Sequence, residues 1–250
     1  MPKKNRKCRK FTPRSQKYKK SIEECTNAVT ISLFWTNLLA KLNEVYVESN
    51  PSAILCYGLG NFLESLQSRY QLGLLLAIKN VFKIKDCHIY DPKFTDTELQ
   101  ILAENGFEPI SQNEEGKRSL LPGTFVFLPH CPKHLLNNLL WINWEKVILT
   151  KCVIFCNCID DTITLTPNKI VNKIAYYINK ISPHVVMEKT FCNEFMYDDV
   201  FNDMALHIFP NEKLKDLENF FWERDNEPSY DTEELEFTKN FNFLTLDIDN

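Results

Sequence analysis

Between Ala53 and Ile181 the chain advances in five units, each led by a short apolar run and most continuing into a stretch with apolar residues every third or fourth position. Short apolar runs bounded by turn residues indicate buried strands, and the longer spacing indicates amphipathic helices. Parallel neighbours in a sheet need a crossover connection, which helices supply. The alternation therefore predicts an α/β fold, a mostly parallel sheet with helices on both faces.

The expected strands are Ala53–Tyr57, Cys87–Tyr90, Pro109–Ser111, Thr124–Leu128 and Cys152–Cys156. Helices are expected from the turn at Gly58–Asn61 to about Phe82, from a cap at Asp96 to the stop at Asn105-Gly106, from Pro132 onward, and from Pro167 to about Ile181. Two more strand-like runs, His184–Thr190 and Met204–Phe209, are linked too closely for a crossover helix and are expected to pair antiparallel. This is the strand inventory of a Rossmann-like sheet of the class I methyltransferase type, a likeness that carries no function by itself. Four segments are expected: a basic disordered arm (1–20), a helix packing on the core (21–49) and ended by Asn50-Pro51, the α/β domain (50–230), and an acidic tail (231–250). The stretch from Asn211, with Phe220, Phe221 and Trp222, is expected to pack on the outside as a helix.

Charge is distributed unevenly. The net charge is −4, yet residues 1–20 hold ten Lys or Arg and no acid, leaving 19 basic against 33 acidic residues elsewhere, or −14. The globular part would repel nucleic acid, and only the Lys3–Lys20 arm offers weak contact to nucleic acid or to an import receptor; a solubilising tail is the competing reading. Nine cysteines, an odd number with Cys56, Cys87, Cys152 and Cys156 in or beside apolar runs, argue for free thiols in a reducing compartment. No apolar run approaches the ~20 residues that span a bilayer, and no secretory leader is recognised. A cytoplasmic and nuclear location is expected, without a membrane.

The ionisable residues cluster at strand exits, where open α/β sheets place ligand chemistry. Gly58-Leu59-Gly60-Asn61 lies between a strand and a helix, a setting that lets backbone amides approach a phosphate or other ligand. A dinucleotide fingerprint would have a further glycine where Leu63 stands, and a plain tight turn is the alternative. Asp91 ends the second strand, the place of ribose-binding acids, or else forms an Asp-Pro turn. Asn113 and Glu114 follow the third strand and Asn157 the fifth. His130 and Cys131 end the fourth and are the candidate catalytic residues, with the imidazole taking the thiol proton, although neighbours on extended backbone point apart. A polar rim with His130 bonded to backbone is the competing reading. With His134 the two lack the fourth donor of a structural zinc site, so no metal is expected. Cys131-Pro132 also admits a haem thiolate, beside the commonplace of a proline at a helix start. Asn137, Asn138, Trp141 and Trp144 lie on the next helix, whose buried face Leu135, Leu136, Leu139 and Leu140 provide. The asparagines there are poor helix formers that ask for polar compensation.

Six pieces in this order carry a resemblance: CYGLGNF (56–62), YDPKF (90–94), NEEG (113–116), LPHCPKHLLNNLLWINW (128–144), FNDMALHIFP (201–210) and WERDNEPSY (222–230). Together they resemble the SRR-like family, named for plant sensitivity to red light reduced. The chain departs where family sequences end the fifth strand in a Gly-Asn-Ser-Phe-type turn; here Cys156-Asn157-Cys158 stands. The resemblance implies a regulator in circadian-clock input and in haem biosynthesis, without a secure catalytic assignment, and the polar strand exits add the expectation of a ligand-binding crevice at the strand carboxyl ends. Two rivals stand beside it. One is an enzyme holding a nucleotide or S-adenosylmethionine over Gly58–Asn61, with Asp91 on the ribose and His130 near the reacting group. The other is a ligand-free protein-interaction module.

Overall fold

The computed structural model describes residues 13–47 and 50–230, with side chains placed from residue 17 onward except at 190. The elements are α1 (Pro13–Thr30), α2 (Leu33–Val45), β1 (Ala53–Tyr57), α3 (Leu66–Phe82), β2 (Asp86–Tyr90), α4 (Asp96–Glu104), β3 (Glu108–Pro109), β4 (Thr124–Leu128), α5 (Lys133–Ile142) and α6 (Lys146–Leu149). There follow β5 (Val153–Asn157), α7 (Ile159–Thr164), α8 (Asn168–Ile174), α9 (Tyr176–Ile181), β6 (Val186–Glu188), α10 (Asp198–Phe201), β7 (Met204–Ile208) and α11 (Asn211–Leu214).

Seven strands form one sheet in the order β3-β2-β1-β4-β5-β7-β6. β1 to β5 run parallel, and β7 lies antiparallel between β5 and β6. The fold is thus mixed α/β, with the last two strands paired antiparallel as expected. Alternate residues of each strand enter different cores. Ile54, Cys56, Phe125, Phe127, Val153 and Phe155 face α1–α4 together with Phe191, Phe195 and Phe201. Leu55, Tyr57, Val126, Leu128, Ile154 and Cys156 face α5, α8 and α9. Phe34 of α2 stacks on Phe201 with centroids 4.2 Å apart, fixing the N-terminal helices to the segment before β7.

Several local expectations are corrected. The helix expected over 21–49 is two helices, because Ser32 caps a new start: its Oγ accepts the Trp35 amide (3.1 Å). α1 begins at Pro13, inside the stretch expected as a disordered arm, and α2 stops at Val45, before Asn50-Pro51. Thr95, rather than Asp96, caps α4, and it forms a capping box with Glu98. Pro132 is the residue before α5 and not its first. The helix expected over 167–181 breaks at Ala175 into α8 and α9, where the Asn137 side chain accepts the Tyr177 amide (2.7 Å). The segment after Asn211 has a single helical turn and a 3-10 turn at Asn219–Trp222 in place of a packed helix. Residues 1–12 of the basic arm and the acidic tail at 231–250 lie outside the described residues. Among the described residues no helix is long and apolar enough to cross a membrane.

Candidate functional site

The strand order reverses between β1 and β4, and the exits of β1, β2, β4 and β5 meet along one rim. Gly58 leaves β1 with φ +73°, and its amide donates to the Tyr90 carbonyl (3.0 Å), joining the exits of β1 and β2. Gly60 has φ +77°, and its amide donates to Asp91 Oδ2 (2.7 Å). The other oxygen of Asp91 accepts the Lys93 amide (2.7 Å). Asp91 is buried, and burial pushes its pKa up against the pull of those two amides. Asn61 Oδ1 accepts the Glu64 amide (3.1 Å), a local turn. Leu63, at the position of the missing glycine, donates its amide to Glu98 Oε1 (3.0 Å). Two buried carboxylates therefore hold the glycine loop. Glu98 carries no mark in the sequence beyond the Thr95-x-x-Glu98 spacing of a capping box.

His130 and Cys131 are not brought together as base and nucleophile. His130 adopts φ +50°, is exposed, and lies 3.3 Å through Nε2 from the Val200 carbonyl. Cys131 is buried and donates its thiol to the Tyr57 carbonyl (3.2 Å). Burial pushes the Cys131 thiol far up, so it stays protonated and unreactive at neutral pH. Native protein is accordingly expected to leave Cys131 unmodified by iodoacetamide until it is unfolded. Rapid native labelling at Cys131 by peptide mass spectrometry would contradict this placement. The thiol that haem ligation at Cys131-Pro132 would use is the one bonded to the Tyr57 carbonyl. His134, the third donor of the metal reading, packs its ring against Tyr230 (5.6 Å). Among the described residues no three His, Cys, Asp or Glu side chains converge on a metal position.

The remaining rim residues also direct their polar atoms to local partners. Asn113 Oδ1 accepts the Glu115 amide (2.9 Å), shaping a turn in which Glu115 has φ +54°. Glu114 pairs in bidentate fashion with Arg118 (2.8 and 3.0 Å) and accepts the Tyr57 hydroxyl (2.9 Å). Asn157 donates Nδ2 to the Cys131 carbonyl (3.3 Å), while its Oδ1 is buried without a partner among the described residues. Asn157 lines a cavity of about 20 Å³ with Leu128, Cys131, Lys133 and Thr162, room for one water. Gly58, Gly60, Asp91, Cys131, Asn157 and, through Tyr57, Glu114 are thus one connected set. Its polar groups take their partners within the domain, with the exception of Asn157 Oδ1.

A further buried polar residue belongs to no motif in the sequence. His207, in the middle of β7, is fully buried; Nδ1 donates to the Ile154 carbonyl (3.1 Å) and Nε2 accepts the Ile159 amide at the start of α7 (3.1 Å). Burial lowers its pKa to about 4, so it is neutral with the proton on Nδ1. The lone histidine inside the apolar run MALHI was the available signal.

The SRR1 domain family model matches residues 38–208. Similar proteins include an SRR1-like protein of Drosophila melanogaster, 30% identical over 172 residues (68% of this chain, 60% of the relative), and an SRR1-like protein of Mus musculus, 36% identical over 134 residues (52% and 54%). Protein SENSITIVITY TO RED LIGHT REDUCED 1 of Arabidopsis thaliana is 30% identical over 156 residues (58% of this chain, 56% of the relative). The chain thus spans between about half and three fifths of the length of these relatives.

Proposed function

From the premise that the chain belongs to the SRR1 domain family, we propose that it is a regulatory protein. It acts in circadian-clock input and in the control of haem biosynthesis, and it works through its surfaces rather than by catalysis. The observation carrying this reading is the self-bonded rim: the Gly60 amide is held by Asp91, Glu114 is held by Arg118 and Tyr57, and the Cys131 thiol is buried. A group engaged in this way must lose its partner before it can bind a ligand, and an unpaired buried polar atom costs about 1–3 kcal/mol. The plant relative's name, which concerns red-light sensitivity, supports the light-input part of the proposal. The Lys3–Lys20 run supports contact with an import receptor and residence in both cytoplasm and nucleus.

A second reading is a methyltransferase-like enzyme binding S-adenosylmethionine or a nucleotide. It is favoured by the placement of antiparallel β7 between β5 and β6, which suits a Rossmann-like sheet of that type, and by Asp91 at the end of β2. In that reading Gly58, Gly60 and Asn61 would border the ligand, with His130 and Asn157 at its far side, and Asp91 would exchange its bond to Gly60 for a ribose hydroxyl.

Thermal denaturation with S-adenosylmethionine, S-adenosylhomocysteine, ATP, NADH and hemin separates the two. The regulatory reading expects no shift with any of them. Binding at a hundredfold excess over Kd adds about 2.7 kcal/mol, or roughly 5–10 °C for a chain of this size. A shift of that order that Asp91→Ala abolishes would overturn the surface-acting reading in favour of the enzyme.

A further inference from the structure

Two glutamines on the first two turns of α3 each donate to a backbone carbonyl of the α10 region: Gln67 Nε2 to Asp199, and Gln71 Nε2 to Val200 (2.9 Å). The Tyr70 ring lies 5.1 Å from that of Tyr197, the residue before α10. α10 is thereby held on the start of α3, and the two elements present one face. Three large apolar side chains stand out of it: Leu66 is 48% exposed, Met196 65% and Tyr197 41%. Single apolar residues on a surface need no explanation, whereas adjoining ones rimmed by polar groups mark an interaction surface. The rim here has one sign of charge. Glu64, Asp198 and Asp199 are exposed, and among the described residues none of the three forms an ion pair. Glu104, Glu114 and Asp161, by contrast, are each paired with a lysine or arginine.

Unpaired acids around exposed apolar side chains suit a basic segment that also carries an apolar residue. This chain contains one. Residues 1–12, outside the described residues, include Lys3, Lys4, Arg6, Lys7, Arg9 and Lys10, no acid, and the aromatic Phe11. Reach connects that segment to this face. Arg69, one turn after Leu66, donates Nη1 to Ser21 Oγ of α1 (3.2 Å). Pro13, where α1 begins, stands eight residues before Ser21, about 12 Å along a helix. A twelve-residue chain spans up to about 40 Å, so the face at the start of α3 lies within the arm's length.

We propose that residues 1–12 dock on the face formed by the start of α3 and α10, the arm's cations against Glu64, Asp198 and Asp199 and its apolar residues over Leu66, Met196 and Tyr197. The occupant is tethered, so its effective concentration is about millimolar and docking needs no second molecule. The basic run thereby masks itself: seated, it is withheld from anionic partners, and released, it is open to them. Exposed charges are screened beyond a Debye length of about 8 Å at physiological salt, so seating weakens as salt rises. This inference rests neither on the strand-end rim nor on the regulatory reading.

The test uses the full chain. Carbodiimide coupling joins lysines only to carboxylates already in contact with them. At low salt it is expected to join Lys3, Lys4, Lys7 and Lys10 to Glu64, Asp198 and Asp199 within one chain, as read by peptide mass spectrometry, with yields that fall as salt is added. Coupling spread evenly over other exposed acids such as Glu212 and Asp216 would overturn the proposal. Coupling confined to dimers would assign the face to a second copy's arm and overturn docking within one chain. Heparin then probes release. An arm seated nine-tenths of the time weakens heparin binding about tenfold. Leu66→Ser/Met196→Ser, which leaves the charge unchanged, is therefore expected to bind heparin about tenfold more tightly than wild type. Asp198→Asn/Asp199→Asn should exceed Glu212→Gln/Asp216→Asn, which makes the same charge change elsewhere. Equal heparin affinity of wild type and Leu66→Ser/Met196→Ser, or of the two charge variants, would show that the arm is not held on this face.

Discussion

Gly58→Ala is expected to cost about 3–4 kcal/mol of folding stability, and removal of the Cys131 sulfur is expected to relieve about half of that cost. Two effects add at Gly58. Its φ of +73° is a left-handed conformation that costs an L side chain about 1–2 kcal/mol. An added Cβ would also stand 2.3 Å from Cys131 Sγ, far inside contact distance. The sulfur has no easy retreat, because it is buried and bonded to the Tyr57 carbonyl (3.2 Å), and overpacking of this kind costs about 1–3 kcal/mol. A double-mutant cycle of Gly58→Ala with Cys131→Ala separates the two, since only the steric part vanishes with the sulfur. Urea unfolding should give a coupling energy of about 1–2 kcal/mol. Additive effects would mean that the exits of β1 and β4 do not press together as described, and the rim would lose its central contact.

Much of that rim was legible in the sequence, for a specific reason. β1 and β4 lie where the runs AILCY and TFVFL place them, since an apolar run bounded by turn residues has one economical fate in an alternating chain. Once those strands are parallel neighbours, their exits must be adjacent, and so must Gly58, Asp91 and Cys131. The sequence could not reveal which partners these groups take. Asp91 reads as a ribose acid or as a turn former; that its carboxylate accepts the Gly60 amide, 31 residues away, is supplied only by the folded register. The split between α1 and α2 was hidden because it occurs at Ile31-Ser32, with neither Gly nor Pro, through one serine hydroxyl. α7 is short and follows β5 directly, so it gave no helical period to read. The asparagines of α5 did ask for polar compensation, but their partner, Tyr230, is over ninety residues away.

His207 supplies the second large effect, a loss of about 3 kcal/mol of stability as pH falls from 6.5 to about 4. In the unfolded chain this histidine takes up a proton near its ordinary pKa of 6.5, whereas in the fold burial holds it neutral down to about 4. The unfolded state therefore binds more protons across this window, so stability from His207 is complete above pH 6.5 and drains away on acidification. No discount for solvent is needed, because the ring is fully buried between the Ile154 carbonyl and the Ile159 amide, with the Cys156 sulfur 3.5 Å from Nδ1. His207→Gln keeps an acceptor for the Ile159 amide and cannot titrate. It should be less stable than wild type at pH 7.5, but the difference should shrink steadily toward pH 4.5 and approach zero or reverse. Other titrating groups are common to both chains and cancel in that difference. Urea-derived unfolding energies whose wild-type minus variant gap stays constant from pH 7.5 to 4.5 would show that His207 is not held neutral. The tie it forms between β5, β7 and the start of α7 would then need a different protonation state.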